Sequence, residues 1–236
     1  MHCKLLIILP CYNEEASLPH LLSELKGMQF PVQYHVEVVV VNDRSKDNTS
    51  KIAGDYDATI LDLPINLGIG GAVQSGLLYA MKNNFDLAVQ MDGDGQHPPA
   101  ELFKLLSCYE SSGANVVIGS RFITKEGFQS SFTRRLGISY FYFLNKVFTR
   151  RNIYDSTSGF RLFDKKAIQL ASLYYPDEYP EPESLVFFSR AGFMVKETPV
   201  MMARRNGGES SIGNFASLYY CIKVTIAMFF SAIRKI

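Results

Sequence analysis

No uninterrupted apolar stretch of this chain approaches the ~20 residues that a membrane span requires; the longest lies between Lys223 and Arg234. Neither charge dominates. With 24 Lys and Arg against 23 Asp and Glu the formal charge is +1, which gives no reason to expect nucleic acid as a partner. The four cysteines, Cys3, Cys11, Cys108 and Cys221, lack CxxC spacing. That scatter argues against a zinc site or a disulfide framework and for reduced thiols. The opening apolar run is five residues long before Pro10, too short for a signal peptide. Repeats and low-complexity tracts are also missing. These absences leave a soluble or peripheral cytoplasmic protein, its 236 residues enough for one substantial core or for a nucleotide-binding half fused to a smaller one.

What is present is a βα rhythm. Continuous apolar runs at Lys4 to Leu9, Val36 to Val41, Ala58 to Leu61, Leu87 to Met91 and Asn115 to Gly119 read as strands buried on both faces. Helical patterns at Glu14 to Lys26, Ser45 to Asp55, Ile69 to Lys82 and Pro99 to Ser111 alternate with them. Such units imply an α/β fold, a doubly wound, mostly parallel sheet with helices on both faces. Ligands of such sheets bind beyond the carboxyl ends of the strands. From about Ser120 the rhythm is lost. Helices are expected at Phe132 to Arg151, Asp164 to Leu173, Glu183 to Ala191 and from Phe215 onward, a turn at Asp155 to Arg161, and a strand at Val195 to Pro199.

The most informative segment is QMDGDGQHPP, Gln90 to Pro99, where a strand runs into two carboxylates one residue apart. Strand alternation would point Asp92 and Asp94 the same way. Paired hard oxygen donors suit Mg2+ or Mn2+, and Gly93 and Gly95 would let a diphosphate approach the backbone. The plain alternative is a solvated Asp-Gly turn. Three other features carry two readings each. His97 is either a ligand or a structural residue, Asp43 either a binding residue or a helix cap, and Asn66 to Gly71 passes for a dinucleotide fingerprint but lacks the third glycine at the right spacing.

Seven motifs in order then carry a resemblance: PCYNEE, VNDRSKDNT, NLGIGGA, MDGDGQHPP, IGSRF, DSTSGFR and RNGGES. The chain resembles family 2 glycosyltransferases, and more closely dolichyl- and polyprenyl-phosphate sugar synthases, over roughly residues 4–211. The resemblance implies a GT-A fold, an inverting reaction, a nucleoside-diphosphate sugar donor and a divalent metal cofactor. By position it implies that Pro10, Tyr12, Glu14, Asp43, Gly70 and Asp92 bind the nucleotide, and that Asp92, Asp94 and Gln96 hold the metal. Asp94, Arg121, Arg135 and Arg205 would be catalytic; Arg135, Ser139 and Ser210 would face the acceptor phosphate. Three departures stand out: Asn42 where many relatives have aspartate, Arg44 after Asp43 where a small residue is common, and Ser211 where lysine is frequent.

A departing nucleoside diphosphate gathers negative charge, which a cation and arginine forks stabilise. A polyprenyl phosphate acceptor is already an anion and needs no strong base, whereas a sugar hydroxyl needs one, with Asp155, Glu181 and Glu183 as the acids available. The expected function is transfer of a sugar to undecaprenyl or dolichyl phosphate; the alternative is a saccharide hydroxyl acceptor in cell-surface polysaccharide synthesis. Residues 1–211 would form the catalytic domain, with 1–119 the nucleotide half and 120–211 the acceptor half. The helix within 212–236 is amphipathic, with Phe215, Leu218, Tyr219, Ile222, Ile226, Phe229, Phe230 and Ile233 on one face. It would lie in the membrane interface, on the domain core, or on a partner, either a small membrane protein or a second copy of the chain.

Overall fold

Runs that are apolar at every position have no solvent face and must be covered on both sides. Two strands with such a run at their centre, β1 (Cys3–Cys11) through Leu5 to Leu9 and β2 (Tyr34–Asn42) through Val38 to Val41, pair in parallel from Cys3 with Tyr34 to Cys11 with Asn42. The computed structural model describes residues 2–56, 58–124, 132–177, 180–203 and 214–234, excepting the side chains of 132–136, 138 and 214–220. Helix α1 (Leu18–Gly27) joins these strands, and α2 (Thr49–Asp55) leads to β3 (Thr59–Asp62), which pairs with β2. Helix α3 (Gly68–Lys82) crosses back to β4 (Leu87–Gln90), parallel to β1. Helix α4 (Leu102–Ser112) follows, then β5 (Val116–Ser120) and α5 (Phe132–Thr149). The chain continues through β6 (Arg161–Asp164), α6 (Lys165–Leu173), α7 (Pro180–Arg190), β7 (Val195–Pro199) and α8 (Asn214–Ile233).

The sheet order is β3-β2-β1-β4-β6-β5-β7. All pairings are parallel except those of β6, which runs antiparallel to both neighbours. A strand of the second half thus sits between two strands of the first, so the two halves share one sheet. Alternate residues of each strand feed opposite cores. Leu6, Ile8, Val39, Val41 and Ala88 face α3, α6 and α7, while Leu5, Ile7, Leu9, Val40 and Val89 face α1 and α4. All ten are fully buried, each contributing about 1–3 kcal/mol by burial.

Two expectations are corrected. The Asp155 to Arg161 turn ends in a strand, because Arg161–Asp164 finds ladder partners on β4 and β5. Helices α1 and α2 begin later than their patterns imply, since residues 12–17 and 43–48 spend their backbone groups on each other's loops. Helix α8 does not pack by its widest apolar face. Val224, Met228 and Ser231 turn inward against Phe141 of α5 and Val186 of α7, leaving Ile222, Ile226, Phe229, Phe230 and Ile233 exposed. Arg190 of α7 donates to the carbonyls of Ser231 (3.0 Å) and Arg234 (2.6 Å), closing the carboxyl end of α8. Among the described residues no helix is long and apolar enough to cross a membrane.

Candidate active site

Strands β1, β2 and β4 end side by side, and the loops beyond them enclose a cavity of about 420 Å3. Pro10, Cys11, Tyr12 and Glu14 line it from the end of β1 and the loop beyond, and Asp43 from the loop after β2. Asn66, Gly68 and Ile69 come from the start of α3, and Asp92 to Asp94 from the loop after β4. Four segments far apart in sequence therefore converge at the place a doubly wound sheet reserves for its ligand.

The first two loops are stitched together. Asn13 donates its amide to Ser45 Oγ (3.0 Å) and accepts from the Lys46 amide through its side chain (2.8 Å). Glu14 donates its amide to Thr49 Oγ1 (2.9 Å), and Glu15 accepts from the amide of Asn48 (2.9 Å). The polar run RSKDNT is thus the partner set of NEE. Asp43, 4 % exposed, accepts from the amides of Leu67 (2.6 Å) and Gly68 (2.9 Å). It caps α3, not α2, and so ties the base of the cavity to the helix that walls it. Asn42 donates to Asp62 Oδ1 at 2.7 Å. An aspartate at 42 would set two carboxylates at that distance, so the amide fits this chain's Asp62. Gly70 is buried away from the cavity lining: an added Cβ would come within 2.2 Å of the carbonyl oxygens of Pro176 and Asp177.

Strand β4 stops at Gln90, so a turn rather than strand alternation places Asp92 and Asp94 on the cavity wall. Gly95 has φ +74°, and a Cβ on Gly93 would lie 2.4 Å from Cys11 Sγ; the two glycines let the turn fold down onto β1. Asp94 Oδ1 accepts from the Gln96 amide at 3.0 Å. His97 turns inward, fully buried and stacked on Phe160 at 4.8 Å, and its Nδ1 accepts from the Asp92 amide at 3.1 Å. That bond assigns the proton to Nε2. Burial holds its pKa down to about 4, so the ring is neutral and structural. The carboxylates of Asp92 and Asp94, both on the cavity wall, are donors that suit a hard divalent cation.

On the other flank Arg121 meets Asp155 in a two-pronged ion pair. Nε donates to Oδ2 at 2.7 Å and Nη2 to Oδ1 at 2.6 Å, with a further bond to Thr157 Oγ1 at 2.9 Å. Asp155 is fully buried. Its amide and that of Tyr154 are held by the two oxygens of Glu197, at 2.8 and 2.7 Å. The loop that presents Asp155 is anchored by Arg161, also fully buried. Its guanidinium donates to the carbonyls of Ser156, Ser158 and Glu181 and to Ser184 Oγ, at 2.8–3.0 Å. Within the same loop Gly159 backs onto the turn after β4, where a Cβ would lie 3.0 Å from Asp92 Oδ1. No sequence pattern singles out Glu197 or Ser184, and Arg161 is marked only as the end of DSTSGFR.

The three acids weighed as bases separate. Asp155 is committed to Arg121, and Glu183 lines a second cavity with Gln74, Tyr174 and Arg234. Glu181 lies near Gln90 and within reach of the Asp92 charge. Burial raises the Glu181 carboxyl above its usual range, against the pull of Arg161 and with the push of Asp92. Ser139 is exposed on α5. The Arg135 side chain, Arg205 and Ser210 lie outside the described residues. The segment that leads to Arg205 is fixed, with the Ala203 amide on the Gln96 carbonyl (3.0 Å) and the Met201 amide on Glu101 Oε2 (2.9 Å).

Residues 6–170 match the model of Glycosyl transferase family 2, well over half of the chain. The chain belongs to that family and is a glycosyltransferase. It is 29% identical over 221 residues to polyprenol monophosphomannose synthase of Mycolicibacterium smegmatis, covering 88% of this chain and 80% of that one. To the UDP-N-acetylglucosamine–dolichyl-phosphate N-acetylglucosaminyltransferase of Methanococcus voltae it is 26% identical over 214 residues, covering 82% and 83%. Among solved structures, glucosyl-3-phosphoglycerate synthase from Mycobacterium tuberculosis, in complex with Mn2+, UDP and glucosyl-3-phosphoglycerate, superposes with a TM-score of 0.68. That match covers 98% of this chain and 80% of the other at 19% identity, and it establishes the GT-A fold.

Proposed function

We propose that this chain moves a glycosyl group from a UDP- or GDP-sugar to the phosphate of undecaprenyl or dolichyl phosphate, with inversion. In that reaction the bond from the anomeric carbon to the nucleoside diphosphate breaks as a lipid phosphate oxygen forms a new one. The observation that carries the reading is the Arg121–Asp155 pair: the acid on the acceptor flank is spent on holding an arginine fork. A flank built that way suits an anionic acceptor that brings its own nucleophile. The relatives named for polyprenol and dolichyl-phosphate acceptors support it.

Pro10, Tyr12, Glu14, Asp43 and Asp92 surround the volume assigned to the nucleotide. Asp92, Asp94 and Gln96 would hold Mg2+ or Mn2+, which when bound neutralises charge on the leaving diphosphate; the solved relative with Mn2+ and UDP supports that assignment. Arg121, Arg135 and Arg205 would steady phosphate oxygens, and Ser139 and Ser210 would contact the acceptor phosphate. In this division 1–119 serve the donor, 120–211 the acceptor and 212–236 the membrane or a partner. The chain would work peripherally on the cytoplasmic face, alone, beside a small membrane protein or as a homo-oligomer.

Labelled donor and undecaprenyl phosphate should give an organic-extractable product that mild acid cleaves to free sugar. A product that survives mild acid, or that forms without lipid phosphate, would refute the assignment. Glu181 supports a second reading, a saccharide hydroxyl acceptor, because burial, with the Asp92 charge adding to it, raises its carboxyl above the usual range. If Glu181 were the base, Glu181→Gln would cost ~100-fold or more in turnover; with a phosphate acceptor the loss stays below ~10-fold.

A further inference from the structure

A second cavity, of about 250 Å3, lies where α3, α6, α7 and the end of α8 meet. The segment Tyr174 to Asp177 lines it and also reaches the wall of the first cavity. The Tyr175 hydroxyl donates to Gln90 Oε1 at 3.4 Å, at the end of β4 and two residues before Asp92. The Asp177 carbonyl accepts the Gly70 amide at 3.2 Å. Gly68, Ile69 and Ala72, on either side of Gly70, line the first cavity. One short stretch of chain thus touches both.

The lining of the second cavity says what it takes. Tyr174 and Phe187 present rings 6.3 Å apart, and the Arg234 guanidinium lies 5.4 Å from the centre of the Tyr174 ring. Glu183 and Asp177 set two negative charges against that one positive charge. Burial raises the Glu183 carboxyl above its usual range, while Arg234 pulls it down and Asp177 pushes it up, so the three charges sense one another. Arg190 is spent elsewhere, on the carbonyls of Ser231 and Arg234. The chain therefore already seats one guanidinium on an aromatic face near a carboxylate, and the lining keeps one negative charge in excess. Rings beside carboxylates favour organic cations, which gain from both. A bare metal ion would make no use of the rings.

We propose that this cavity binds a small organic cation, an amine or guanidinium compound, and that its occupancy is coupled to the first cavity through Tyr174 to Asp177. A ligand braced against that segment would steady the carbonyls that Gly70 rests on and so firm the α3 wall. It should tighten nucleotide binding, and nucleotide should tighten the cation's binding by the same factor. The cation site does not depend on the donor reading; only the nucleotide half of the coupling rests on it.

Calorimetric titration of the full chain with agmatine tests this, with amyl alcohol as the uncharged control. Agmatine should give saturable heat below ~20 mM, and Glu183→Gln and Tyr174→Leu should each weaken it ~10-fold or more. Both variants should melt like wild type. Arg234→Ala removes the internal competitor and should tighten agmatine, whereas Glu24→Gln, on α1 across the sheet, should leave it unchanged. With agmatine bound, amide exchange over Gly68 to Ala72 should slow, and UDP or GDP with Mn2+ should bind ~3-fold or more tightly. No saturable heat, equal heat from amyl alcohol, or binding that neither variant weakens overturns the proposal. So does agmatine binding that leaves that exchange, or the affinity of a nucleotide that does bind, unchanged. If agmatine binds and slows the exchange but no nucleotide binds with metal, the donor reading fails while the cation site stands.

Discussion

Asp155 binds Arg121 through both carboxylate oxygens and has no exposed surface, so its loss leaves a guanidinium with its partner gone. Removing one member of such a pair costs about 3–5 kcal/mol. Asp155→Ala should therefore lower the melting temperature and, by freeing the arginine fork, cut transfer ~100-fold or more. Asp155→Asn, which keeps an acceptor oxygen, should recover part of the stability; thermal melts and initial rates of both variants check this. His97 gives a pH signature. Its folded pKa of about 4 lies below the ordinary 6.5, so the unfolded chain binds the proton first. Stability present above pH 6.5 is then lost as pH falls towards 4, by up to about 3 kcal/mol. Chemical denaturation at stepped pH should show that slope, and His97→Gln should flatten it. The place of Asp92 and Asp94 on the cavity wall was legible because an apolar strand ends just before them. Arg161 and Glu197 were not. Their partners are a hydroxyl and backbone carbonyls and amides, several of them in other segments, and such groups leave no mark in a local pattern.

The parallel strands were readable for a simple reason: a strand must be apolar where both its faces are covered, and Leu5 to Leu9 of β1, Val39 to Val41 of β2 and Leu87 to Val89 of β4 are. Strand β6 has only Leu162 and Phe163 as apolar residues, and its place between β4 and β5 depends on pairing across more than forty residues of chain. The starts of α1 and α2 were misread because helical spacing continues into loops whose polar groups bond to each other. The amino end of α3 shows how elements set the site. Gly70 donates its amide to the Asp177 carbonyl at 3.2 Å with no room for a side chain. Gly70→Ala should push α3 off the 176–177 backbone, and with it Gly68 and Ile69, which line the cavity. The expected result is a donor KM raised about 10-fold with a smaller change in kcat, read from initial rates.

On the scale of the molecule, charge and greasiness are sorted by location. A nearly neutral chain places acids around the cavity and basic, acid-free helices on one exposed apolar side. The amphipathic character of α8 was legible, but which side faces outward was not, since both sides are apolar and only packing on Phe141 and Val186 decides. The sugar is likewise unwritten in short motifs, because relatives of similar identity are named for different sugars. The most direct test of the whole account is nucleotide release from a panel of UDP- and GDP-sugars with Mg2+ or Mn2+, each with and without undecaprenyl phosphate. Release from one donor that requires both metal and lipid, and falls ~1000-fold or more in Asp94→Ala, is the predicted result. Release that ignores the lipid, or survives Asp94→Ala, would contradict it.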